Sequence, residues 1–328
     1  MIPTLAADAR LRECLESLGR QTRRDFEVII VDNSGQGLVH RNGVAADARV
    51  IENSTNAGFG AAINQGLRAS SSPYVATLND DAAVDPGWLE ALLKAIEHRP
   101  DAGMCASQVR LFGEHRLDSA GMLVARDGSS KQRGHGRPPE DFPVAEECFF
   151  PSGSAALYRR AMLEEIGGFD DEFFLYCEDT DVGLRARWAG WKCLYAPDAV
   201  VEHHYSHSAG RASPAKAYYV ERNRLFVAAK NFPAPMLWAA PFASVARYFW
   251  HAWFLLRGRG SAARFRAEGH AGPKMAWYVI CAHAAVLGHA GRLWRQRREI
   301  RARARITPRI FRHLVHGHSI SLRRVAQL

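Results

Sequence analysis

Three features of this 328-residue sequence predict an α/β fold, a mostly parallel central sheet flanked by helices, with a helical, basic C-terminal extension. Over the first ~120 residues strand-like and helix-like segments alternate, the rhythm of parallel strands joined by helices. FEVIIV (26–31) and YVATL (74–78) are apolar runs interrupted only by Glu27 and Thr77, as expected for strands covered on both faces. Charge is also partitioned: from Arg257 onward 16 Lys+Arg stand against 2 Asp+Glu, whereas residues 1–256 hold 27 basic and 32 acidic groups. An acidic body and a tail of +14 face different environments, and the change of texture after Asn231 divides the chain into a body, 1–230, and a basic helical region, 231–328. With 47% apolar and 23% charged residues, wholesale disorder, collagen and a many-span membrane protein are excluded.

The elements follow in order. Pro3 and Thr4 end a very short apolar start, and Ala9–Gly19 reads as a helix with Leu11, Leu15 and Leu18 on one face. FEVIIV is a strand, Val50–Ile51 a weaker one, Gly60–Ala69 a helix, YVATL a strand, and Pro86–Glu97 a helix with proline in its first turn. Residues 126–147, polar and rich in Gly and Pro, predict a long surface loop. Order resumes at Phe149–Tyr158, a helix runs from near Asp179 to about Ala189, and Ala199–Val201 is strand-like. Beyond Asn231, Phe242–Leu256 follows Pro241 and contains Arg247 and His251. It gives only ~22 Å of helix against a ~30 Å hydrocarbon core. Met275–Gly291 lacks charge for 17 residues, marginal for a span, and leads into RLWRQRREIRARARITPRIFR. Aromatic helices beside dense arginine predict helices lying in an anionic membrane interface. The six cysteines form no C-x-x-C pair, so neither zinc ribbons nor thioredoxin-type sites are indicated. The N-terminal residues lack signal-peptide regions, and we expect a reducing, cytoplasmic setting.

Five constellations could carry chemistry, and each has a structural alternative. Asp32-Asn33-Ser34 follows a buried strand, where a carboxylate can accept the N3–H of uracil or thymine; the same residues favour ordinary turns. NAGFGAAINQG (56–66) places Gly58 and Gly60 before a helix whose N-terminus suits anions, or simply caps that helix. Asn79-Asp80-Asp81 ends a buried strand, where one or two carboxylates plus substrate phosphates would hold Mg²⁺ or Mn²⁺; a solvated turn is the alternative. Glu178, Asp179 and Asp181 open a helix after the apolar string Phe173–Tyr176. They suit helix capping, yet an aromatic wall beside a carboxylate can raise its pKa toward general-base use. His203, His204 and His207 lie within five residues and could ligate a transition metal.

The order of the motifs is more specific than any one of them. VDNS, NAGFGAAINQG, LNDDA, PSGSAALYRR, GGFDDEFFLYCEDTDVGLRARWAGW, a His203…Ser208 spacing and YYVERNRLF succeed one another. Over residues 2–230 this resembles the family 2 glycosyltransferases with the GT-A fold, particularly the rhamnosyltransferase-like branch. The resemblance implies that Asp32 contacts the pyrimidine, with Asn56 and Asn64 around the nucleotide. It implies Asp81 as the metal ligand with Asp80 near the ribose or sugar, His203 helping to hold metal and diphosphate, and Asp179 as catalytic base. Ser152, Gly153, Glu178, Trp191 and Arg222 then fall in the donor or acceptor pocket, Arg222 with Asn223 as the family's R-N pair. The resemblance implies a single in-line displacement with inversion, a nucleoside-diphosphate-sugar donor, and a saccharide or lipid-linked saccharide acceptor. Rhamnose is the first expectation for the sugar; galactose, galactofuranose, mannose and N-acetylated sugars stay open.

Three departures qualify it. Asn79 replaces a carboxylate of the D-x-D-type motif, which leaves Asp81 to bind metal more nearly alone. Leu184–Trp188 lacks the glutamine of processive synthases, so one sugar per encounter is expected. Only Met1 and Ile2 precede Pro3, so the first strand is expected to be truncated or the true start to lie upstream. A nucleic-acid-binding role for the basic tail is disfavoured by its interleaved apolar helices and the acidic body. The presence of Asp32, Asp81 and Asp179 disfavours an inactive scaffold.

Overall fold

The computed structural model describes residues 1–45, 47–204, 214–267 and 272–328, and the expected alternation of strands and helices is present. His207 and Ser208 lie outside the described residues. In chain order the elements are β1 (Ile2–Thr4), α1 (Ala9–Gly19), β2 (Ile29–Asp32), α2 (Leu38–Arg41), β3 (Arg49–Glu52), α3 (Phe59–Ala69), β4 (Tyr74–Leu78), β5 (Ala82–Val84) and α4 (Trp88–Glu97). There follow β6 (Ala102–Leu111), β7 (Leu117–Ser119), β8 (Met122–Val124), β9 (Ser130–Gln132), β10 (Glu146–Cys148), β11 (Ala155–Arg159), α5 (Arg160–Ile166), α6 (Glu178–Trp188) and β12 (Lys192–His203). The remaining helices are α7 (Pro214–Asn231), α8 (Ala234–Leu256), α9 (Gly260–Ala267), α10 (Gly272–Gly288), α11 (Ala290–Ala302), α12 (Pro308–Gly317) and α13 (Leu322–Gln327).

Local chemistry explains the boundaries. Asp8 caps α1 by accepting the amides of Arg10 and Leu11, and Leu11, Cys14 and Leu18 are the helix's buried apolar face. FEVIIV forms a strand only from Ile29, because its parallel partner β1 is three residues long and pairs Ile2 with Ile30. Pro86 precedes α4 rather than opening it. The stretch 126–147 is less loop-like than expected: it holds all of β9, a 3₁₀ turn at Pro139–Asp141 and the start of β10.

The chain divides into two compact units, Met1–Met122 with Gln132–Ala186 and Trp191–Ser208, and Leu123–Lys131 with Arg187–Gly190 and Ala209–Leu328. Helix α7, which the expected boundary at 230 assigns to the catalytic domain, groups with the second unit. In the first unit β1, β2 and β3 are parallel, while the sheet β10-β12-β6-β11-β4 is antiparallel except for β6–β12. Met1 bridges the two sheets, its carbonyl accepting Leu78 N at 3.1 Å and its amino group donating to Ala76 O at 2.8 Å. Ile30, Leu92, Ala102, Cys105 and Ala199 are fully buried between sheet and helices. A cavity of about 300 Å³ lies by Phe26–Ile29 and Ser72–Ala76, at the starts of β2 and β4. The candidate residues sit at the opposite ends of these strands, as expected for an α/β sheet.

The second unit is helical around a buried ionic centre. Glu221 on α7 meets Arg224 and Arg247 and accepts from Tyr248, while Asp127, from the β8–β9 turn, lies 2.6 Å from Arg247 Nε. Trp188 stacks on Phe311 at 4.2 Å and donates its indole N–H to Asn231 O.

Candidate active site

At the end of β2, Asp32 is 1% exposed. Burial opposes its charge, but hydrogen bonds from Ser34 N and Val39 N, both 2.9 Å, outweigh that and hold it below the usual carboxylate range. Its strand neighbour Thr4 donates to Asp80 Oδ2 at 2.6 Å, linking the first strand pair to the acidic turn after β4. Asn56 makes an Asx turn with Gly58 N. Asn64 is engaged within the protein: its amide donates to Phe169 O and Asp171, and its oxygen accepts Phe169 N. It thereby ties α3 to the segment that leads into α6.

Around Asp81 the strands bring four sequence-distant residues together. His203 ends β12, and its Nε2 lies 3.2 Å from both Asp81 Oδ1 and Asn79 Nδ2. Its Nδ1 faces Asp118 Oδ2 at 2.9 Å, and Asp118 is in turn 3.2 Å from His135 Nδ1. Burial opposes protonation of His203, but Asp118 and Asp81 overcome it and push the imidazole up to about 10. The Asp81 carboxyl is held low against its burial by His203, whereas burial lifts Asp80 to about 6. Asp118 and His135 were absent from the sequence expectations. Asp118 lies 85 residues from His203, and no local spacing announces it.

The third cluster is the start of α6. Asp179 Oδ2 accepts Gly153 N at 3.1 Å and its Oδ1 accepts Thr180 N at 2.6 Å, so the carboxylate is aimed by the Ser152–Ser154 turn. Burial raises the Asp179 pKa against these hydrogen bonds. Glu178 is 8% exposed, its Oε2 has no hydrogen-bond partner, and burial reinforced by the Asp179 charge pushes it up to about 8. Asp181 is structural: it pairs with Arg185 at 2.7 Å, and Arg185 also holds Ile166 O and Gly168 O. The preceding loop is strained, with Phe174, Tyr176 and Cys177 all at positive φ. Phe174 O accepts Phe59 N, and a Cβ on Gly58 (φ +86°) would sit 2.4 Å from that oxygen, so glycine is needed there.

Backbone and side-chain contacts join the three clusters. Asn33 N donates to Thr4 O, Thr4 reaches Asp80, Asp81 reaches His203, and Asn79 N donates to Ser154 O beside Gly153 and Asp179. Ser152 lies in this turn, bonded to Ser154. Trp191 does not join them: it precedes β12 while His203 ends it, and the length of that twelve-residue strand separates the two. Its indole instead donates to Glu165. Arg222 belongs to the second unit, its guanidinium over Tyr219 and Phe226 and its Nε on Asn223 Oδ1.

The model of the glycosyl transferase family 2 matches residues 1–167. The chain belongs to this family. It is 30% identical over 268 residues to the N-acetylglucosaminyl-diphospho-decaprenol L-rhamnosyltransferase of Mycobacterium tuberculosis, covering 72% of this chain and 86% of that one. An uncharacterized glycosyltransferase of Bacillus subtilis, YwdF, is 32% identical over 54% of this chain and 62% of its own length. The solved mannosyltransferase PcManGT of Pyrobaculum calidifontis, in complex with GDP-Man and Mn²⁺, superposes with a TM-score of 0.50 at 20% identity, covering 87% of this chain and 85% of that one. GalNAc-T7 with UDP, GalNAc and Mn²⁺ gives 0.59 at 14% identity, over 75% of this chain and 50% of that one. The fold is GT-A, and the protein is a glycosyltransferase with a helical C-terminal region.

Proposed function

We propose that this glycosyltransferase is an inverting, divalent-metal-dependent enzyme that moves a sugar, rhamnose foremost, from a nucleoside-diphosphate sugar to a saccharide or lipid-linked saccharide. The observation that carries the reading is the linkage of Asp32, Asp80–Asp81 with His203, and Asp179 through one set of contacts in a single unit. Asp32, at the carboxyl end of β2, is the residue that reads the pyrimidine base in this proposal. Asp179, fixed by Gly153 and flanked by Glu178, takes the proton of the acceptor hydroxyl as its oxygen attacks the anomeric carbon. A single displacement inverts that carbon, so no covalent sugar–enzyme adduct is required.

The donor set fits a metal in a defined way. Among the described residues no group of three or more His, Cys, Asp or Glu side chains is arranged to hold one. The Asp81 carboxylate suits Mg²⁺ or Mn²⁺ completed by the donor's own phosphate oxygens, and the Nε2 of His203 would join it where the cation displaces the imidazolium proton, which Mn²⁺ favours over Mg²⁺. When bound, the cation would offset charge growing on the departing diphosphate. Asp118 then acts as a positioning residue, accepting His203 Nδ1–H so that Nε2 faces the cation. The lipid-diphosphate acceptor named for the mycobacterial relative and the charged C-terminal region support a second element of the proposal, peripheral attachment to the cytoplasmic face of a membrane. Among the described residues no helix is long and apolar enough to cross one.

A panel of nucleotide sugars, each with Mn²⁺ or Mg²⁺, tests the donor by thermal shift, because ligands of the native state raise its melting temperature. Stabilisation by a dTDP- or UDP-sugar only when metal is present is expected. Equal melting with every donor and metal would sink the reading.

A further inference from the structure

We propose that the outward face of α8 lies in the headgroup region of an anionic bilayer. This rests on the peripheral-membrane reading above and assigns the surface responsible. Helix α8 is inverted relative to an ordinary surface helix. Its charged and polar side chains point inward: Arg247 and Tyr248 bond Glu221, and Ser244 accepts from Arg224. Its exposed side instead carries Trp238, Phe242, Val245, Phe249, Trp253 and Leu256, each 40–86% exposed. At 3.6 residues per turn these six fall within an arc of about 80° from Trp238 to the end of the helix. Of the fourteen large apolar side chains exposed among the described residues, eleven belong to the second unit. Exposed apolar residues scattered singly need no explanation, but a continuous aromatic stripe does.

Charge decides what covers it. Helices α9 and α13 pack against α8. They and the turn after α8 contribute Arg257, Arg259, Arg264, Arg266, Arg323 and Arg324, all exposed, and no Asp or Glu. Arg257 lies 4.2 Å over the Trp253 ring and Arg323 5.3 Å over that of Trp250, so cations flank the apolar stripe itself. A second copy of the chain would set arginine against arginine, whereas acidic lipid headgroups complement them. The stripe runs from Trp238 to Leu256, 19 of the 23 residues of α8, the arrangement of a helix lying in the interfacial plane, where Trp and Phe rings are favoured.

The test is co-sedimentation of the full chain with phosphatidylcholine vesicles, with and without phosphatidylglycerol, at low and high salt. We expect binding to the anionic vesicles that weakens with salt. Joint substitution Trp238→Ser, Phe242→Ser and Phe249→Ser should lower partitioning at least about tenfold. Circular dichroism checks that this variant is folded. Should it misfold, brominated-lipid quenching of the native protein, compared with Trp238→Phe, gives the same answer. Native protein and variant pelleting alike would overturn the face while leaving the peripheral reading intact. No binding by the native chain to any vesicle would overturn both. A dimer that the variant lacks, without vesicle binding, would make the stripe a chain–chain interface and overturn the proposal.

Discussion

Glu178→Gln probes the electrostatics of the proposed base directly. Glu178 is buried against Asp179 with one oxygen unpartnered, and its folded value is about 8 against an ordinary 4.5. A carboxyl raised by folding is protonated in the native state while the unfolded chain has already lost the proton. Stability is therefore greatest below pH ~4.5 and falls as pH rises toward 8, since the native state binds more protons in that window. Between pH 6 and 9 the native carboxyl is titrated across roughly two pH units, or about 3 kcal/mol at 1.36 kcal/mol per unit. Glutamine copies the protonated shape and cannot ionise. Urea denaturation at pH 6 and pH 9 should show the native protein losing about 3 kcal/mol more than Glu178→Gln, which retains turnover at neutral pH because Asp179 is untouched. Parallel losses in the two proteins would refute the protonated-neighbour assignment.

Asp179→Asn should lower turnover by about 10²–10⁴, the range of general-base contributions, while isothermal titration shows donor binding largely unchanged; near-normal turnover would overturn its role. Asp118→Asn should weaken Mn²⁺ binding about 10–100-fold, read by titration of Mn²⁺ in the presence of UDP, and an unchanged affinity would remove Asp118 from the metal's support. Gly58→Ala, forced to φ +86° against Phe174 O, should destabilise by at least ~1 kcal/mol and lower turnover. Gly19→Ala, with open space around its Cβ, should leave both unaffected. Glu221→Gln leaves two buried guanidiniums, Arg224 and Arg247, to share the one remaining carboxylate of Asp127, and should cost about 3–5 kcal/mol in urea denaturation, whereas a loss below ~1 kcal/mol would contradict that picture of the second unit.

Where side chains act next to their own strand end, the chain was readable. FEVIIV and YVATL had to be buried strands, and Asp32 and Asp81 stand within three residues of where those strands stop. The clustered acids at 178–181 were visible but not sortable. Only coordinates separate Asp181, paired with Arg185, from Asp179, aimed by Gly153. Asn64 illustrates the reverse: its family position suggested a nucleotide contact, and the fold engages its amide with Phe169 and Asp171, more than a hundred residues away. The resemblance puts Trp191 in the pocket, whereas a long strand carries it to the end opposite His203.

By itself the sequence determined the layered α/β class, the family, the acidic strand ends and the division into an acidic body and a basic tail, because these rest on periodicity, charge and motif order along the chain. Tertiary structure alone decided that Asp118 backs His203, that Glu178 is buried beside the base, and that α8 turns its arginine inward and its aromatics outward. Those depend on which distant segments pack together, and pairing across 85 residues leaves no trace in local spacing.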